Sequence, residues 1–377
     1  MVSLARRTLQ REWRRFVPAV LAVAFAGLLL TIQLALVMGI FGSAALYVTA
    51  SSADVWVGYP GTQSVNYGRN VNSDLEMMLM MNPQVAAVEP LVWVDADWHS
   101  DANTGGVPVF VVGIGTQANS MLFDKLLTAA TRTLLREPRA VIVDRADLPQ
   151  LGVGVGGYAS IDGKRVHVVA TISGLRALGG VNVLCSVDTA RELDSKALEA
   201  NSAAYWVAGL KEPAQAPNVV NQLGGKTAFG AFDAWTANEF ALRSQLYWFL
   251  DTGAGVAVLF MSAIVLLVGI VVASQALTAV VISSAREYAT LNALGVGIRA
   301  LRAVVLEQAA WIGGGGLLLS TALSSALLLL AASRDVPVAM SVTMAGVCTL
   351  LVLGIALMSG LFAMRGLLRA DPVQLLR

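Results

Sequence analysis

Four long apolar runs constrain the fold of this chain more than any other feature of its sequence. Each run carries few charges and exceeds the roughly 20 predominantly apolar residues that an α-helix needs to cross a bilayer. The runs cover residues 16–41, 248–282, 303–332 and 338–364. The sequence therefore predicts four transmembrane helices, and this even number returns the chain to the side of the membrane on which it starts.

The composition of the chain agrees with a fold that lies largely in lipid. Hydrophobic residues make up 56% of the sequence and charged residues only 14%, whereas about a quarter of the residues are charged in soluble domains. The segment between the first two runs, residues 42–247, has a mixed composition. Because its length suffices for one or two compact domains, we expect a folded domain inserted between the first and second spans.

Strand-like and helix-like patterns alternate along the inserted segment. Candidate strands are rich in β-branched or aromatic residues and are bounded by Gly, Pro, Asn or Asp; they cover residues 54–57, 85–93, 107–113, 140–143, 166–172, 181–185 and 204–208. Candidate helices cover residues 72–81, 118–127, 188–199 and 214–223. The glycines of residues 152–165 are typical of turns and a hairpin. The predicted fold class is a membrane α-helical protein with an extracytoplasmic α+β domain between its first two spans.

Arginine clusters at three places predict the orientation of the chain. They comprise Arg6, Arg7, Arg11, Arg14 and Arg15 before the first span, Arg286, Arg299 and Arg302 between the second and third, and Arg365, Arg369 and Arg377 after the fourth. Loops rich in Lys and Arg stay on the cytoplasmic side. We therefore expect residues 1–15, 283–302 and 365–377 to be cytoplasmic and the inserted domain to be periplasmic, in a bacterial inner membrane. Residues 1–15 also form an amphipathic segment that either lies along the inner membrane surface or acts only as a topology signal.

Two of the predicted spans have unusual ends. The second, taken as one uninterrupted helix over residues 248–282, would reach about 50 Å, well beyond the hydrocarbon core of a bilayer. It is therefore expected to continue outward as a stalk that carries the inserted domain. Residues 333–337 are expected to form a short outer turn, which makes the third and fourth spans adjacent antiparallel helices.

A ridge of small residues runs along the third span. It consists of Gly313, Gly316, Ser320 and Ser324, and this spacing allows the backbone of another helix to approach closely. Packing within the chain and dimerisation both explain the ridge, and its glycines also allow a local hinge.

The residues of the chain do not indicate an enzyme. Its two histidines, His99 and His167, are isolated in the sequence and have no metal-binding spacing. Residues 225–227, Gly-Lys-Thr, resemble the end of a phosphate-binding loop, but Val220 stands where that motif requires glycine. Glu307 is the only carboxylate predicted within the lipid, whereas a proton relay needs a series of such groups. We expect no catalytic residue, cofactor or metal on this chain.

The loop between the second and third spans carries the most informative pattern. Arg286, Glu287, Leu291 and Leu294 are expected to form a short amphipathic helix that ends at Gly295. A loop that only connected two spans would be shorter and more polar. This loop is therefore expected to present an ordered surface to the cytoplasm.

Three motifs in the sequence resemble the four-span permeases of the MacB and FtsX type, the type VII ABC transporter permeases. The family pattern RE-x-x-x-L-x-A-L-G after the second span is matched by Arg286, Glu287, Leu291, Ala293, Leu294 and Gly295. Residues 370–377, ADPVQLLR, are similar to the family's closing DP-x-x-x-LR, and residues 53–57, ADVWV, look like the first strand of its outer domain. The chain lacks the fused ATPase of MacB and in this respect resembles the stand-alone DevC-like subunits more closely than MacB.

The resemblance implies partners for the chain. In the family, two permease copies pair with two ATPases, and ATP and magnesium bind to the ATPase. The implied ATPase-coupling residues are Arg286, Glu287, Thr290, Leu291, Leu294 and Gly295. The further implied partners are a second copy in a homodimer, a periplasmic adaptor, an outer-membrane channel and membrane lipid, but not nucleic acid.

The function that the resemblance implies is ATP-driven export. The permease would couple ATP hydrolysis by a separate subunit to motion of the periplasmic domain, which expels an amphipathic or hydrophobic cargo. The alternative is an FtsX-like signalling subunit that activates an extracytoplasmic partner without transport. Accumulation of cargo in a deletion strain would favour export, whereas a defect in the cell wall or in cell separation would favour signalling.

Overall fold

A computed structural model describes residues 13–194, 202–224, 226–227, 230–284, 290, 297–334 and 336–369 of the chain. The chain divides into two compact units. Met1–Gly39 and Val256–Arg377 form the first, which we call the membrane unit, and Ile40–Gly255 form the second, which we call the inserted domain.

Helices account for all the regular structure described in the membrane unit and for part of the inserted domain. In chain order they are α1 Trp13–Ser43, α2 Leu46–Thr49, α3 Asp74–Met80, α4 Ala129–Leu134, α5 Leu148–Leu151, α6 Val187–Leu193, α7 Ala216–Leu223, α8 Ala237–Leu246, α9 Ala254–Ser283, α10 Ile298–Ser333 and α11 Val342–Arg369. Short 3-10 turns at Val65–Tyr67, Arg145–Asp147 and Pro213–Gln215 and a π-helical turn at Tyr247–Asp251 lie between them.

Strands occur only in the inserted domain among the described residues. They are β1 Val55–Gly58, β2 Val85–Ser100, β3 Asn103–Ile114, β4 Ala140–Asp144, β5 Tyr158–Ile161, β6 Lys164–Ile172, β7 Val181–Ser186, β8 Tyr205–Leu210, β9 Lys226–Thr227, β10 Gly230–Ala231 and β11 Asp233–Thr236. Each predicted strand has a counterpart in this set, with ends shifted by a few residues. The short strands β9, β10 and β11 and the extension of β2 from residue 93 to Ser100 are not predicted by the sequence.

The membrane unit contains three helices that are long and apolar enough to cross a membrane, counted over the described residues. Their apolar parts are Trp13–Ser43, Ala254–Val280 and Ala303–Ser333. Helix α11 is 28 residues long, but its apolar part within the described side chains, Val342–Met358, is shorter than a full span. The three long spans agree with the sequence, and the four-span count remains a prediction.

One packed cluster joins the four long helices of the membrane unit. It contains Phe16, Ala19 and Val23 of α1, Ala273 and Val280 of α9, Ile312 of α10 and Val352 of α11. Small and β-branched residues dominate this cluster, which lets the helices pack closely.

The turn before α11 is longer than the sequence predicts. Helix α10 ends at Ser333, one residue beyond the predicted end, and α11 begins at Val342 instead of residue 338, so the described residues 336–341 lie between the two helices. The extra residues pack against the end of α1. The amide of Ala339 donates to the carbonyl of Ala35, and the Pro337 carbonyl oxygen lies so close to Gly39 that a Cβ there would be 2.1 Å from it.

The predicted long helix over residues 248–282 is interrupted. After the π-helical turn Tyr247–Asp251, Gly253 adopts a φ of +74°, a left-handed conformation that an α-helix does not contain. Helix α9 therefore begins at Ala254 instead of Trp248. The break replaces the continuous stalk expected from the sequence.

Nine of the eleven described strands form one sheet in the order β11-β1-β8-β2-β3-β7-β4-β6-β5, and β9 and β10 pair in a separate two-stranded sheet. Strand β2 is long enough to serve both halves of this sheet, because Val85–Leu91 pair with β8 and residues from Val92 onward pair with β3. Near its end, Trp98 and His99 of β2 also pair with β5. The last six strands in the order therefore close into a barrel, and the first four form an open half-sheet that shares β2 with the barrel.

Successive side chains of a barrel strand point alternately into the core of the barrel and to its outer face. Val92, Val94 and Trp98 of β2 belong to a valine-rich cluster inside the barrel, whereas Trp93 belongs to the cluster on its outer face. This is the two-residue period of a pleated strand. On the open half-sheet, α3 and α7 cover one face, and α8 covers the other through Phe240, whose ring stacks on Trp235.

The hairpin predicted within residues 152–165 is confirmed. It is formed by β5 and the start of β6, and its turn residues Asp162 and Gly163 have φ angles of 48° and 79°. Two successive positive φ angles are characteristic of the type I′ turn that suits a tight hairpin.

The predicted helix at residues 118–127 is wrong. These residues form successive turns, because the Glu89 carboxylate accepts hydrogen bonds from Ser120 Oγ at 2.8 Å and from the Met121 amide at 2.9 Å. Phe123 has a φ of 55°, which is incompatible with a helix interior. The helix predicted over residues 188–199 begins at Val187 and ends at Leu193, and residues 195–199 lie outside the described part of the chain.

Candidate functional site

The predicted ATPase-coupling segment falls almost entirely outside the described residues. The positions not described are Arg286, Glu287, Leu291, Leu294 and Gly295. Thr290 is described and is helical and exposed. The coupling assignment therefore remains a prediction from the sequence.

The small-residue ridge of α10 packs against α1 within the membrane unit. A Cβ added at Gly316 would lie 2.7 Å from Cγ1 of Val23, and a Cβ added at Gly27 would lie 2.7 Å from Oγ of Ser320. Both distances are too short for an ordinary contact. The glycines therefore allow α1 and α10 to approach closely, as small residues do in membrane helix pairs.

The other two ridge residues face different surroundings. A Cβ at Gly313 would lie 3.0 Å from Cβ of Ala356 on α11. Ser324 is buried, and its hydroxyl has no hydrogen-bond partner among the described residues. All four ridge residues are buried within the chain. This geometry matches the interpretation of intrachain packing, whereas a dimer contact through the ridge stays a prediction.

The first connection between a span and the inserted domain is fixed by buried polar groups. Tyr47, in the short helix α2, is fully buried, and its hydroxyl donates a hydrogen bond to Oδ1 of Asn182 on β7. The Asn182 amide in turn donates to the Leu175 carbonyl at 3.0 Å. Burial raises the pKa of Tyr47 well above its usual value, and the nearby charge of Asp95 adds to the effect.

A lysine and two aromatic rings hold the same connection from other sides. Lys125 Nζ donates to the carbonyls of Thr49 and Ser51, both at 2.9 Å. The ring of Tyr47 packs edge-on against Trp93 and Phe123, with centroids 5.1 and 5.6 Å apart. The chain after α1 is thereby attached to the barrel and to the turn that follows β3.

The second connection, α8 with the π-helical turn, is attached to a different part of the domain. Ser244 Oγ accepts a hydrogen bond from the Val65 amide at 3.0 Å, and Trp248 Nε1 donates to Ser64 Oγ at 3.2 Å. The ring of Tyr67 lies 5.6 Å from that of Tyr247. These contacts fix the second connection to the loop between β1 and α3.

The last turn of α1, which belongs to the inserted domain, touches the second connection. The rings of Phe41 and Phe249 pack edge-on with centroids 5.0 Å apart. Because each connection is fixed to the domain by buried contacts, a displacement of either one must move the element to which it is attached. The sequence signal for these attachments is the density of aromatic residues at both ends of the inserted segment, which is typical of a membrane interface.

The groups that an enzyme would use are dispersed in the described part of the chain. His167 Nε2 lies 3.1 Å from Oε2 of Glu137, and His99 is exposed on β2. Within the described residues, no group of three or more His, Cys, Asp or Glu side chains has a geometry that could hold a metal ion. Gln33, one of the few polar groups in the spans, donates to Ser262 Oγ at 3.2 Å.

The C-terminal part of the sequence matches a known family. Residues 259–372 match the model of the FtsX-like permease C-terminal domain, and this range includes the predicted coupling segment, α10 and α11. These residues are therefore similar to an FtsX-like permease C-terminal domain. No curated protein matches the sequence significantly.

Solved structures of low sequence identity are also similar to part of the chain. One is the extracellular domain of the ABC-type transporter YknZ from Gram-positive bacteria, with a TM-score of 0.34 and 13% identity over 49% of this chain and 100% of that chain. Another is the periplasmic region of MacB from Actinobacillus actinomycetemcomitans, with a TM-score of 0.35 and 9% identity over 51% of this chain and 92% of that chain.

Proposed function

We propose that this chain is the permease subunit of an ATP-driven ABC export complex. A separate ATPase subunit binds ATP and magnesium in the cytoplasm, and its hydrolysis cycle moves the inserted domain, which expels an amphipathic or hydrophobic cargo. The observation that carries the proposal is the match of residues 259–372 to the FtsX-like permease C-terminal domain. That range contains the segment that we assign to the ATPase contact.

The attachments of the inserted domain support a mechanical role for it. The first connection is held through Tyr47 and Lys125, and the second through Ser244 and Trp248. Since these contacts lie in different parts of the domain, a relative movement of the two connections would change the shape of the domain as well as its position. Such a change is what a domain that pushes a cargo requires.

The proposal includes an assembly and an orientation. The arginine clusters support a bacterial inner-membrane protein with cytoplasmic termini and a periplasmic domain. Its partners are the ATPase, a second copy of the permease in a homodimer and membrane lipid. A periplasmic adaptor and an outer-membrane channel complete the export path.

The coupling segment provides the test of this function. Glu287→Arg or Leu291→Arg should abolish export by the complex of permease and ATPase while ATP hydrolysis continues, because each change alters the proposed ATPase-docking surface. Export of accumulated cargo and release of phosphate are measured on the same membranes. The matched control is Glu212→Arg, a charge reversal at an exposed position of the inserted domain, which should leave both rates unchanged.

Two results would contradict different parts of the proposal. Normal export in the Glu287 and Leu291 variants would contradict the coupling assignment. A deletion strain that accumulates no cargo but has a defect in its cell wall or in cell separation would instead support the FtsX-like signalling alternative.

A further inference from the structure

Two adjoining clefts lie on the outer face of the barrel in the inserted domain. The larger has a volume of about 720 Å³ and the smaller about 420 Å³. Both are lined by Asn66, Tyr67 and Asp95, so that each opens beside the other. Their volumes fall in the range of sites that bind drug-sized molecules.

The register of β2 and β3 determines which side chains line the larger cleft. Asp95 and Asp97 point to the same face of β2, opposite to the buried Val94 and Trp98. Asp95 is paired with Phe110 of β3, and Asp97 with Pro108, so all four residues line the cleft.

A third carboxylate lies beside this pair. Asp162, in the turn between β5 and β6, accepts a hydrogen bond from the Asp97 amide at 3.0 Å and also lines the larger cleft. The described residues that line this cleft include no lysine or arginine. The electrostatic potential of the larger cleft therefore favours a cation.

Aromatic rings also line the clefts. The rings of Tyr67 and Trp248 are stacked with centroids 5.9 Å apart, and both line the larger cleft together with Phe110. In the smaller cleft, the guanidinium of Arg69 lies over the ring of Tyr59 at 5.3 Å. Aromatic faces attract cations, and in the smaller cleft the cation is a side chain of the protein itself, Arg69.

Asn66 supplies an independent sign of a ligand. Its side chain is only 8% exposed, and its Nδ2 donates to the Leu178 carbonyl at 3.2 Å. Its Oδ1 is buried without a hydrogen-bond partner among the described residues. A buried acceptor without a donor is unfavourable, and the residue that carries it lines both clefts.

We propose that these clefts bind an amphipathic organic cation, an ammonium compound with an aromatic body. The ammonium group lies between Asp95 and Asp97, while the aromatic body packs against Tyr67, Phe110 and Trp248. This inference rests on the proposed export function and names the chemical class of its cargo.

Binding to the full-length protein in detergent tests the inference. The probe is propranolol, an aromatic secondary ammonium, and its matched anion is naproxen, a naphthyl carboxylate of similar size; binding of each is measured by equilibrium dialysis. We expect propranolol to bind and naproxen to bind much more weakly. The double variant Asp95→Asn, Asp97→Asn should weaken propranolol binding about tenfold or more.

Control variants separate a specific effect from a general one. Asp101→Asn removes an exposed carboxylate from the turn that follows β2, outside both clefts, and should leave the affinity unchanged. Tyr67→Leu removes one of the two stacked rings of the larger cleft and should weaken propranolol binding. Equal propranolol affinity in the wild type and the double variant, or equally tight binding of naproxen, would overturn the inference.

Transport of the same probe distinguishes this inference from the proposed function. If propranolol binding depends on the carboxylates but the complex with its ATPase does not export propranolol, the binding site is correct and the export function is contradicted. If the complex exports propranolol equally well with the double variant, export is correct and the assignment of the cleft is contradicted.

Discussion

At the scale of single residues, one buried hydroxyl has the largest local consequence. Tyr47 is fully buried and its hydroxyl donates to Oδ1 of Asn182. The side-chain amide of Asn182 in turn donates to the Leu175 carbonyl. Removing the donor leaves the Asn182 oxygen buried without a partner. Such a group is more costly than the hydrogen bond that is lost.

Tyr47→Phe should therefore lower the free energy of unfolding by about 1–3 kcal/mol. Urea unfolding of the full-length protein in detergent, followed by tryptophan fluorescence, measures the change. Tyr158→Phe is the control, since Tyr158 is 56% exposed, and it should have little effect. A destabilisation of equal size in both variants would contradict the role of the buried hydrogen bond.

The wild type and Tyr47→Phe should also differ in how their stability responds to alkaline pH. Burial raises the pKa of Tyr47 in the folded state, so the folded state holds this proton more tightly than the unfolded state. The resulting stability is present below about pH 10, the usual pKa of tyrosine, and is lost as the pH rises toward the folded-state value. The unfolding temperature should accordingly fall more steeply above pH 10 in the wild type than in Tyr47→Phe.

At the scale of elements, the contact between α1 and α10 depends on where each glycine lies on the helix. A Cβ at Gly316 would collide with Val23, whereas a Cβ at Gly314 would meet nothing within 4 Å. The two positions are two residues apart on one helix and carry the same entropic cost of glycine. They form a matched pair for testing the packing.

Gly316→Ala should lower the unfolding temperature of the protein, because α10 must move away from α1. Gly314→Ala should leave it unchanged or raise it slightly, since alanine is favoured over glycine in a helix by about 1 kcal/mol. Thermal unfolding in detergent measures both. If the two variants shift the unfolding temperature equally, the close approach of α1 and α10 at Gly316 does not determine stability.

Local patterns account for the elements that the sequence predicts well. The seven predicted strands carry their own β-branched residues, and the hairpin turn at Asp162 and Gly163 needs only neighbouring residues. The wrong helix at residues 118–127 depends instead on Glu89, which is distant in sequence and binds the turn. Likewise, β11 is only four residues long and acquires its strand pairing from β1.

The same distinction between local patterns and contacts distant in sequence applies to the candidate sites. The ridge of α10 is visible in the sequence because its spacing is local, but its neighbours Val23 and Gly27 on α1 are not. The cleft is invisible because Asp95 and Phe110 come together only through the register of two strands. No periodic pattern in one segment predicts such a pairing.

At the scale of the whole molecule, the attachments of the inserted domain should matter for transport more than for folding. Lys125 is exposed and joins the carbonyls of Thr49 and Ser51 to the turn that follows β3. Its loss should cost only about 1 kcal/mol of stability. It would nevertheless loosen one of the two connections through which movement reaches the domain.

Lys125→Met should therefore lower export by the complex severalfold while ATP hydrolysis is largely retained. Lys211→Met is the matched control, because Lys211 also donates from an exposed position to a carbonyl, that of Pro83, away from both connections. Normal export in Lys125→Met would contradict transmission through the first connection.

The sharing of β2 limits how the inserted domain can be divided. Its residues up to Leu91 complete the open half-sheet, and those from Val92 onward form one strand of the barrel. Neither half is a separable module, because cutting the chain between them would leave each with a missing strand and an exposed edge. A change of cargo preference would therefore arise by substitution within this single body, and not by exchange of one half for a foreign domain.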